Sequence, residues 1–586
     1  MAAMALCSCM MRERAQAPKS PPMLFPMYVV RTSCFLEMQE ALPHQVLKQQ
    51  DALVEFVDRA VMTVTFVSHQ WCGNSSADPK FRQLGILQEV VRKAAAGTLS
   101  VDVDLYTAIA YRTKCSLGSS KLAELAFGYI WYDYFSVPQP SALDDSSPHT
   151  DLGSDLGKAV ASLAAYIERC RFFIVLAPTI EHEDGTTIDY RSWKTRGWCR
   201  FERLARVLTT GGDGTTMLLV RHPDAVFEVG AQDCLFDPVG CGEFTHESDR
   251  ARLAPTAEAM LKIKLMCLLK ENALHEYREF MSHRLALLEG LPANWRDASP
   301  FASDFCSAEP LVAFLHDFHL ESPVASVDGV FPLMYATMLG DTLAMRALLD
   351  SKAAVDCEEF RNRPTQVTTQ GMRPVHHAIG HGHIDALEVL LQYRADINAR
   401  DSLGDSPLMV TTKDNPQILQ LAIEKRAEVC VRNFFGNSPL DFAVMNNRHG
   451  AVQLLLKAGH PLEMCDDGHN ALHHAAHFGA SEAITRSLIE AKVSLDDRFE
   501  PRIGRPLWTV LCMWSLSYRC GQRGFLAHFS YQCWGATPLM LAAMFDHSAQ
   551  GRVMLQHGAD PFACNSRGLT AQQLGELFKP SKAATE

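Results

Sequence analysis

Ser68 and His69 follow directly on the apolar run MTVTFV, Asp133 sits inside YIWYDYF, and Glu202 lies within WCRFERLARVL. A hydroxyl and an imidazole at an abrupt strand end can donate hydrogen bonds and carry protons, and a carboxylate held out of water can stabilise a developing positive charge. Each residue also has a purely structural use. Ser68 and His69 can cap the turn that ends a strand. Asp133, between Tyr132 and Tyr134, can bond backbone amides at a sheet edge. Glu202 can pair with Arg206 at i, i+4 on a solvated helix face, an arrangement worth about 0.2–0.5 kcal/mol. A nucleophilic pair of Cys199 and His69 requires the two to meet within hydrogen-bonding reach, with a third group to orient the imidazole.

The elements that must position these side chains alternate between residues 62 and 222. MTVTFV at 62–67, YIWYDYF at 129–135, FFIVL at 172–176 and MLLV at 217–220 read as short strands buried on both faces, with helices between them. Val160, Leu163, Ala164 and Ile167 fall on one helical face, and so do Trp198, Phe201, Leu204, Ala205 and Leu208, with Glu202 on the flank of that stripe. Ligands of open α/β sheets bind outside the carboxyl ends of the strands, so Ser68, His69, Asp133 and Ser136 are expected to converge on one crevice. Phosphate-loop chemistry is excluded: GSDLGKA at 153–159 is a residue short and lacks the Ser or Thr, and GGDG at 211–214 is a turn.

FVSHQW, IWYDYFSVPQ, FFIVLAP and RSWKTRGWCRFE, in this order, resemble a Toll/interleukin-1 receptor (TIR) domain and its heterokaryon-incompatibility relatives. The resemblance implies a flavodoxin-like fold. In TIR domains that hydrolyse NAD, the glutamate of the W-C-x-x-E segment is catalytic, which implies Glu202 here, with Ser68, His69, Asp133 and Trp198 lining the pocket and NAD as substrate rather than resident cofactor. Cleaving the ribose–nicotinamide bond passes through an oxocarbenium-like state that an ionised carboxylate stabilises, and a helix N-terminus would help keep Glu202 ionised. Other TIR relatives are signalling adaptors that self-associate. Two departures from the pattern, the insertion at 97–127 and EHEDGTTIDYRS before Trp198, could reshape or close the pocket.

The second half is periodic. Gly371, Gly404, Gly436 and Gly468 are 33, 32 and 32 residues apart, Gly535 and Gly568 again 33, and Gly504 falls between. The phrases after them, such as MRPVHHAIGHGHIDALEVLL, NSPLDFAVMNNRHGAVQLLL, HNALHHAAHFGASEAITRSL and ATPLMLAAMFDHSAQGRVML, resemble ankyrin repeats: about seven copies, those from 404 and 504 degenerate. Such a solenoid is expected to recruit a partner protein. His376 and His473 are read as scaffold residues at helix starts and His377 and His474 as their neighbours. No carboxylate or cysteine stands at a spacing that completes a metal site, and none is expected. Phe434 and Phe435 occupy a hairpin tip usually filled by polar residues and are candidate partner anchors, or pack against the next tip.

Composition bounds the function. Fifty-five basic against 67 acidic side chains, a formal charge of −12, argue against nucleic acid, and 18 scattered cysteines suit free thiols in a reducing, cytoplasmic setting. No apolar run approaches the ~20 residues of a membrane span. The expected organisation is an N-terminal extension (1–50), a flavodoxin-like, TIR-like parallel-sheet α/β domain (51–222), a helical connector (223–325) and an all-α ankyrin solenoid (326–580). The expected function is that of a protein–protein interaction or signalling adaptor, with a solenoid-regulated NAD hydrolase as the alternative.

Overall fold

Val64–His69 is buried along its whole length, which makes it the middle strand of a sheet. The computed structural model describes residues 20–103, 117–139, 154–210, 217–230, 233–292, 309–362, 368–411, 414–465, 467–522 and 524–578. It divides into two units, one built from Met1–Asp104 and Thr113–Cys306, the other mainly from Ser307–Ser581.

In the first unit ten strands are described: β1 (Tyr28–Arg31), β2 (Leu53–Glu55), β3 (Val64–His69), β4 (Val101–Val103), β5 (Tyr129–Trp131), β6 (Phe172–Leu176), β7 (Ile180–Glu181), β8 (Thr187–Ile188), β9 (Met217–His222) and β10 (Ala225–Val229). Eight form one sheet in the order β2-β1-β5-β3-β6-β9-β10-β4, and β7 and β8 form a separate ribbon. The central strands β5, β3, β6 and β9 run parallel and are the four segments expected from the sequence. Their continuous apolar character follows from helices covering both faces. Phe66 of β3 stacks on Trp131 of β5 at 4.4 Å and on Phe173 of β6 at 5.2 Å, tying the three strands together through one face.

Three boundaries differ from expectation. The strand expected over 129–135 stops at Trp131, and Asp133–Ser136 turns into a single helical turn. The helix read through Val160 and Ile167 is two pieces, Asp155–Ala161 and Leu163–Arg169, parted at Ser162, whose hydroxyl accepts the backbone N–H of Leu24 and Phe25. The sheet also reaches beyond 51–222. β1 comes from the segment expected to be an extension and pairs antiparallel with β2 and β5, while β10 comes from the connector and pairs antiparallel with β9.

Four helices complete the frame of the site: α1 (Arg82–Ala95), α2 (Asp133–Ser136), α3 (Tyr190–Thr195) and α4 (Gly197–Val207). Two connector helices, α5 (Ser248–Lys270) and α6 (Leu274–Leu287), pack on each other, and α5 packs on α4.

The second unit consists of helical hairpins at the expected period. The pairs are Pro332–Leu339 with Thr342–Asp350, Pro374–His381 with Ile384–Gln392, Pro439–Met445 with His449–Lys457, Ala471–Phe478 with Glu482–Glu490, and Pro538–Met544 with Ser548–Gln556. The paced glycines share a positive φ, from +69° at Gly535 to +89° at Gly504, so the period marks a left-handed turn that side chains with a Cβ resist. After Gly404, residues 407–410 form turns instead of a first helix, and only Pro416–Glu424 is helical.

The copy from 504 departs further. Ala471–Phe478 packs directly on Pro538–Met544, and His473 Nε2 lies 3.3 Å from the carbonyl of Ala536. Pro506–Arg519 and Phe525–Gln532 pack chiefly on each other. They form an inserted hairpin between two stacked repeats rather than a repeat in the stack. Among the described residues no helix is long and apolar enough to cross a membrane.

Candidate functional site

After β3 the chain visits the far edge at β4, crosses to β5 on one side of β3 and then returns to β6 on the other. The carboxyl ends of β3 and β6 therefore flank a topological switch point, where open α/β sheets place ligands. Ser68 and His69, the last residues of β3, pair in register with Val175 and Leu176 at the end of β6.

Alternation along the strand sends these two side chains opposite ways. Ser68 Oγ donates to Glu202 Oε2 at 2.5 Å and accepts the indole N–H of Trp193 at 3.0 Å. His69 Nε2 lies 2.8 Å from Asp133 Oδ1, and the ring stacks on Tyr132 at 4.0 Å. Asp133 also accepts the indole N–H of Trp71 at 2.9 Å. Ser136 closes the α2 turn by accepting the backbone N–H of Tyr132 and does not reach the other polar groups.

Electrostatics separate the two clusters. Burial raises the Glu202 carboxyl to about 8, the hydroxyl of Ser68 offsetting only part of the lost hydration, so at neutral pH it is mainly protonated. This differs from the expectation that a helix N-terminus keeps it ionised. Glu202 lies in the second turn of α4, beyond the reach of the helix-end charge. For His69, burial pulls the pKa down, but the charge and hydrogen bond of Asp133 outweigh it and the net shift is upward. For Asp133, burial pushes the pKa up, and His69 together with the bonds from His69 and Trp71 brings it below the usual carboxylate range. The result is a hydrogen-bonded pair in which each partner favours the charged form of the other, with His69 buried and Asp133 partly exposed. The other ring nitrogen of His69, Nδ1, lies 3.1 Å from the Tyr132 hydroxyl and 3.2 Å from the Gln70 carbonyl.

Arg206 does not pair with Glu202. It is buried and donates to the carbonyls of Cys170 and Arg171, which fastens α4 to the turn before β6. Cys199 does not pair with the imidazole either: its thiol faces the backbone carbonyl of His69 at 3.6 Å, and burial raises its pKa far above the thiol range. Trp198, expected to line the pocket, donates instead to Asp249 of α5 at 2.9 Å.

The tryptophan that reaches Ser68 is Trp193 of α3, a residue in the RSWK segment that sequence reasoning passed over. A capping box between Asp189 and Ser192 starts α3, and the Ser192 hydroxyl also donates to Gln70 Oε1 at 2.6 Å. The Arg203 guanidinium lies 5.8 Å over the Trp193 ring, fixing it from α4. Trp71 and Tyr132 were likewise missed. Their signal was adjacency to His69 and Asp133.

In the second unit, Phe434 is 59% exposed, whereas Phe435 is half-buried and lines a cavity of about 90 Å³ with His469, His474, Phe478, Phe499 and Phe529. His376 and His473 bond the backbone of their own helix starts, and each faces a carbonyl of the next stacked repeat, Asp405 and Ala536, at 3.3 Å. Asp441, His469 and His474 bring ligand atoms within 4.8 Å of one another. Asp441 comes from the preceding repeat, so a carboxylate stands beside these histidines although its spacing along the chain gives no sign of it.

The profile described as Ankyrin repeats (3 copies) matches residues 301–401, and that described as Ankyrin repeat matches 435–467 and 534–566. The C-terminal half carries ankyrin repeats. The gap between the last two matches, 468–533, holds the stacked repeat that opens at Gly468 and the inserted hairpin. An ankyrin repeat-containing protein of Schizosaccharomyces pombe is 40% identical over 50 residues, 8% of this chain and 24% of the relative, so the chain spans about a quarter of the length of the curated relative it matches. Among solved structures, the ankyrin repeat domain of human ASB11 is 18% identical, with 42% of this chain and 91% of that chain covered and a TM-score of 0.30.

Proposed function

We propose that this chain binds a protein partner through its ankyrin repeats and that the α/β domain serves signalling assembly, including self-association. The observation that carries the reading is Phe434. Its backbone N–H donates to the Leu403 carbonyl at 2.9 Å and its carbonyl accepts from Arg505, so a large exposed aromatic ring stands on a pinned tip. Such a side chain loses little conformational freedom on docking and buries substantial apolar area. The test is quantitative cross-linking of the full chain and a Phe434→Asp variant in the native extract. A partner retained by the full chain and lost from the variant supports the reading; identical profiles overturn the role of Phe434.

A second reading is favoured by Glu202. It is a carboxyl with a strongly raised pKa, bonded to Ser68 at the switch point, and perturbed acids in such places mark reactive sites. A cationic nicotinamide ring or an oxocarbenium centre placed beside it would draw off its proton and gain a carboxylate counter-charge. On this reading Ser68 and Trp193 position the carboxyl, and the His69–Asp133 pair fixes the neighbouring wall. Purified protein, alone and oligomerised, is incubated with NAD and nicotinamide release is followed. Turnover abolished in Glu202→Gln supports hydrolysis, and no turnover in either state overturns it.

A further inference from the structure

Stacking of successive repeats creates a second polar cluster, remote in sequence from the first. His469 and His474 belong to the repeat that opens at Gly468, Asp441 to the one before it, and their three ligand atoms lie within 4.8 Å of one another. All three side chains are largely buried: His469 is 4% and Asp441 4% exposed, and the side chain of His474 is 12% exposed. His474 Nε2 is buried without a hydrogen-bond partner and lies 3.9 Å from Asp441 Oδ1. A buried imidazole nitrogen with nothing to bond is costly, and so it calls for an occupant.

We propose that Asp441, His469 and His474 form a binding site for a divalent cation of the zinc class. Two imidazoles and a carboxylate are the donor set such ions prefer over calcium or magnesium. Ligand bonds of about 2.0–2.2 Å require the donors to close in by roughly an ångström, within reach of side-chain rotation. The carboxylate is already oriented. Asp441 Oδ2 accepts the backbone N–H of Ser438 at 2.8 Å and its hydroxyl at 2.7 Å, with Arg432 at 3.7 Å, which turns Oδ1 toward His474.

A fourth donor stands close by: the buried Cys465 Sγ lies 3.2–3.3 Å from the two ring nitrogens of His469. His469 and His474 line the 90 Å³ cavity whose other walls include Phe435, Phe478 and, from the insertion, Leu507 and Phe529. The histidines thus border a small, mostly apolar chamber on the side of the inserted hairpin.

The test uses the full chain, stripped with a chelator and dialysed, then titrated with Zn²⁺ by calorimetry and with Co²⁺ by visible absorption. Because Asp441 also caps its helix, the diagnostic variant is His474→Gln, which removes a nitrogen that bonds nothing; His377→Gln, the adjacent histidine of another repeat, is the control. The expected result is one equivalent of metal for the wild type and the control, with tetrahedral Co²⁺ bands and a raised Tm, all lost in His474→Gln. Absence of stoichiometric binding in the wild type, or binding unchanged in His474→Gln, overturns the proposal. A His474→Gln chain that retains its apo Tm yet loses the metal excludes misfolding as the cause.

Discussion

Ser68 Oγ and Glu202 Oε2 meet across 2.5 Å although they come from the end of the central strand and the second turn of a helix far along the chain. The contact joins two elements that nothing local in the sequence pairs, and it places a carboxyl whose pKa burial raises to about 8 at the switch point of the sheet.

Titration of Glu202 should be visible in stability. Its folded pKa, about 8, stands above the ordinary 4.5, so the folded state holds a proton that the unfolded chain has released between those values. The contribution is fully present below about 4.5 and is lost as pH rises through about 8, a fall on the order of a few kcal/mol. Glu202→Gln keeps the shape and cannot ionise. Chemical denaturation from pH 5 to 9 should show the wild type losing stability relative to this variant, and parallel curves would refute the assignment.

The His69–Asp133 pair has the opposite acid limb. Asp133, with its pKa lowered, contributes above the ordinary carboxylate range and loses that contribution as pH falls through its folded value. His69, with its pKa raised, contributes below 6.5 and loses it as pH rises through its folded value. Asp133→Asn should cost about 1–3 kcal/mol near neutral pH, less than a fully buried pair because the Asp133 side chain is 36% exposed. NMR titration should find the His69 pKa lowered in that variant.

Two glycines separate turn strain from collision. Gly468 has φ +76°, and an added Cβ would lie 2.2 Å from the Glu500 carbonyl carbon; Gly558 has φ +95° and open space around it. Gly558→Ala should cost about 1–2 kcal/mol from the left-handed conformation alone. Gly468→Ala should cost clearly more, because backbone must move, and equal Tm losses would contradict this.

The two neighbouring phenylalanines should part company in a stability assay. Phe434→Ala, at an exposed tip, is expected within about 0.5 kcal/mol of the wild type. Phe435→Ala enlarges a cavity and should cost more, on the order of 1–3 kcal/mol. Thermal denaturation of the two variants decides it.

Periodicity and apolar runs are local properties, and what depends on them was legible in the sequence. β3, β5, β6 and β9 showed themselves because a parallel strand covered on both faces has almost no polar residues to hide it. The repeats showed themselves because each left-handed turn needs its glycine. The placement of Ser68 and His69 at a strand end followed from the same reasoning. Which partner each side chain meets did not, because that depends on how helices rotate and which elements stack. Gly197 lets the Phe244 ring approach so closely that a Cβ would lie 2.1 Å from it, and the chain breaks there into two helices that turn Trp193 inward to Ser68 and Trp198 away to Asp249. The same limit hid the union of Asp441 with His474, and it made the hairpin from 506 to 532 look like another repeat. Residues one repeat apart become neighbours only when the hairpins stack, and an insertion betrays itself only when its flanking repeats are seen to touch.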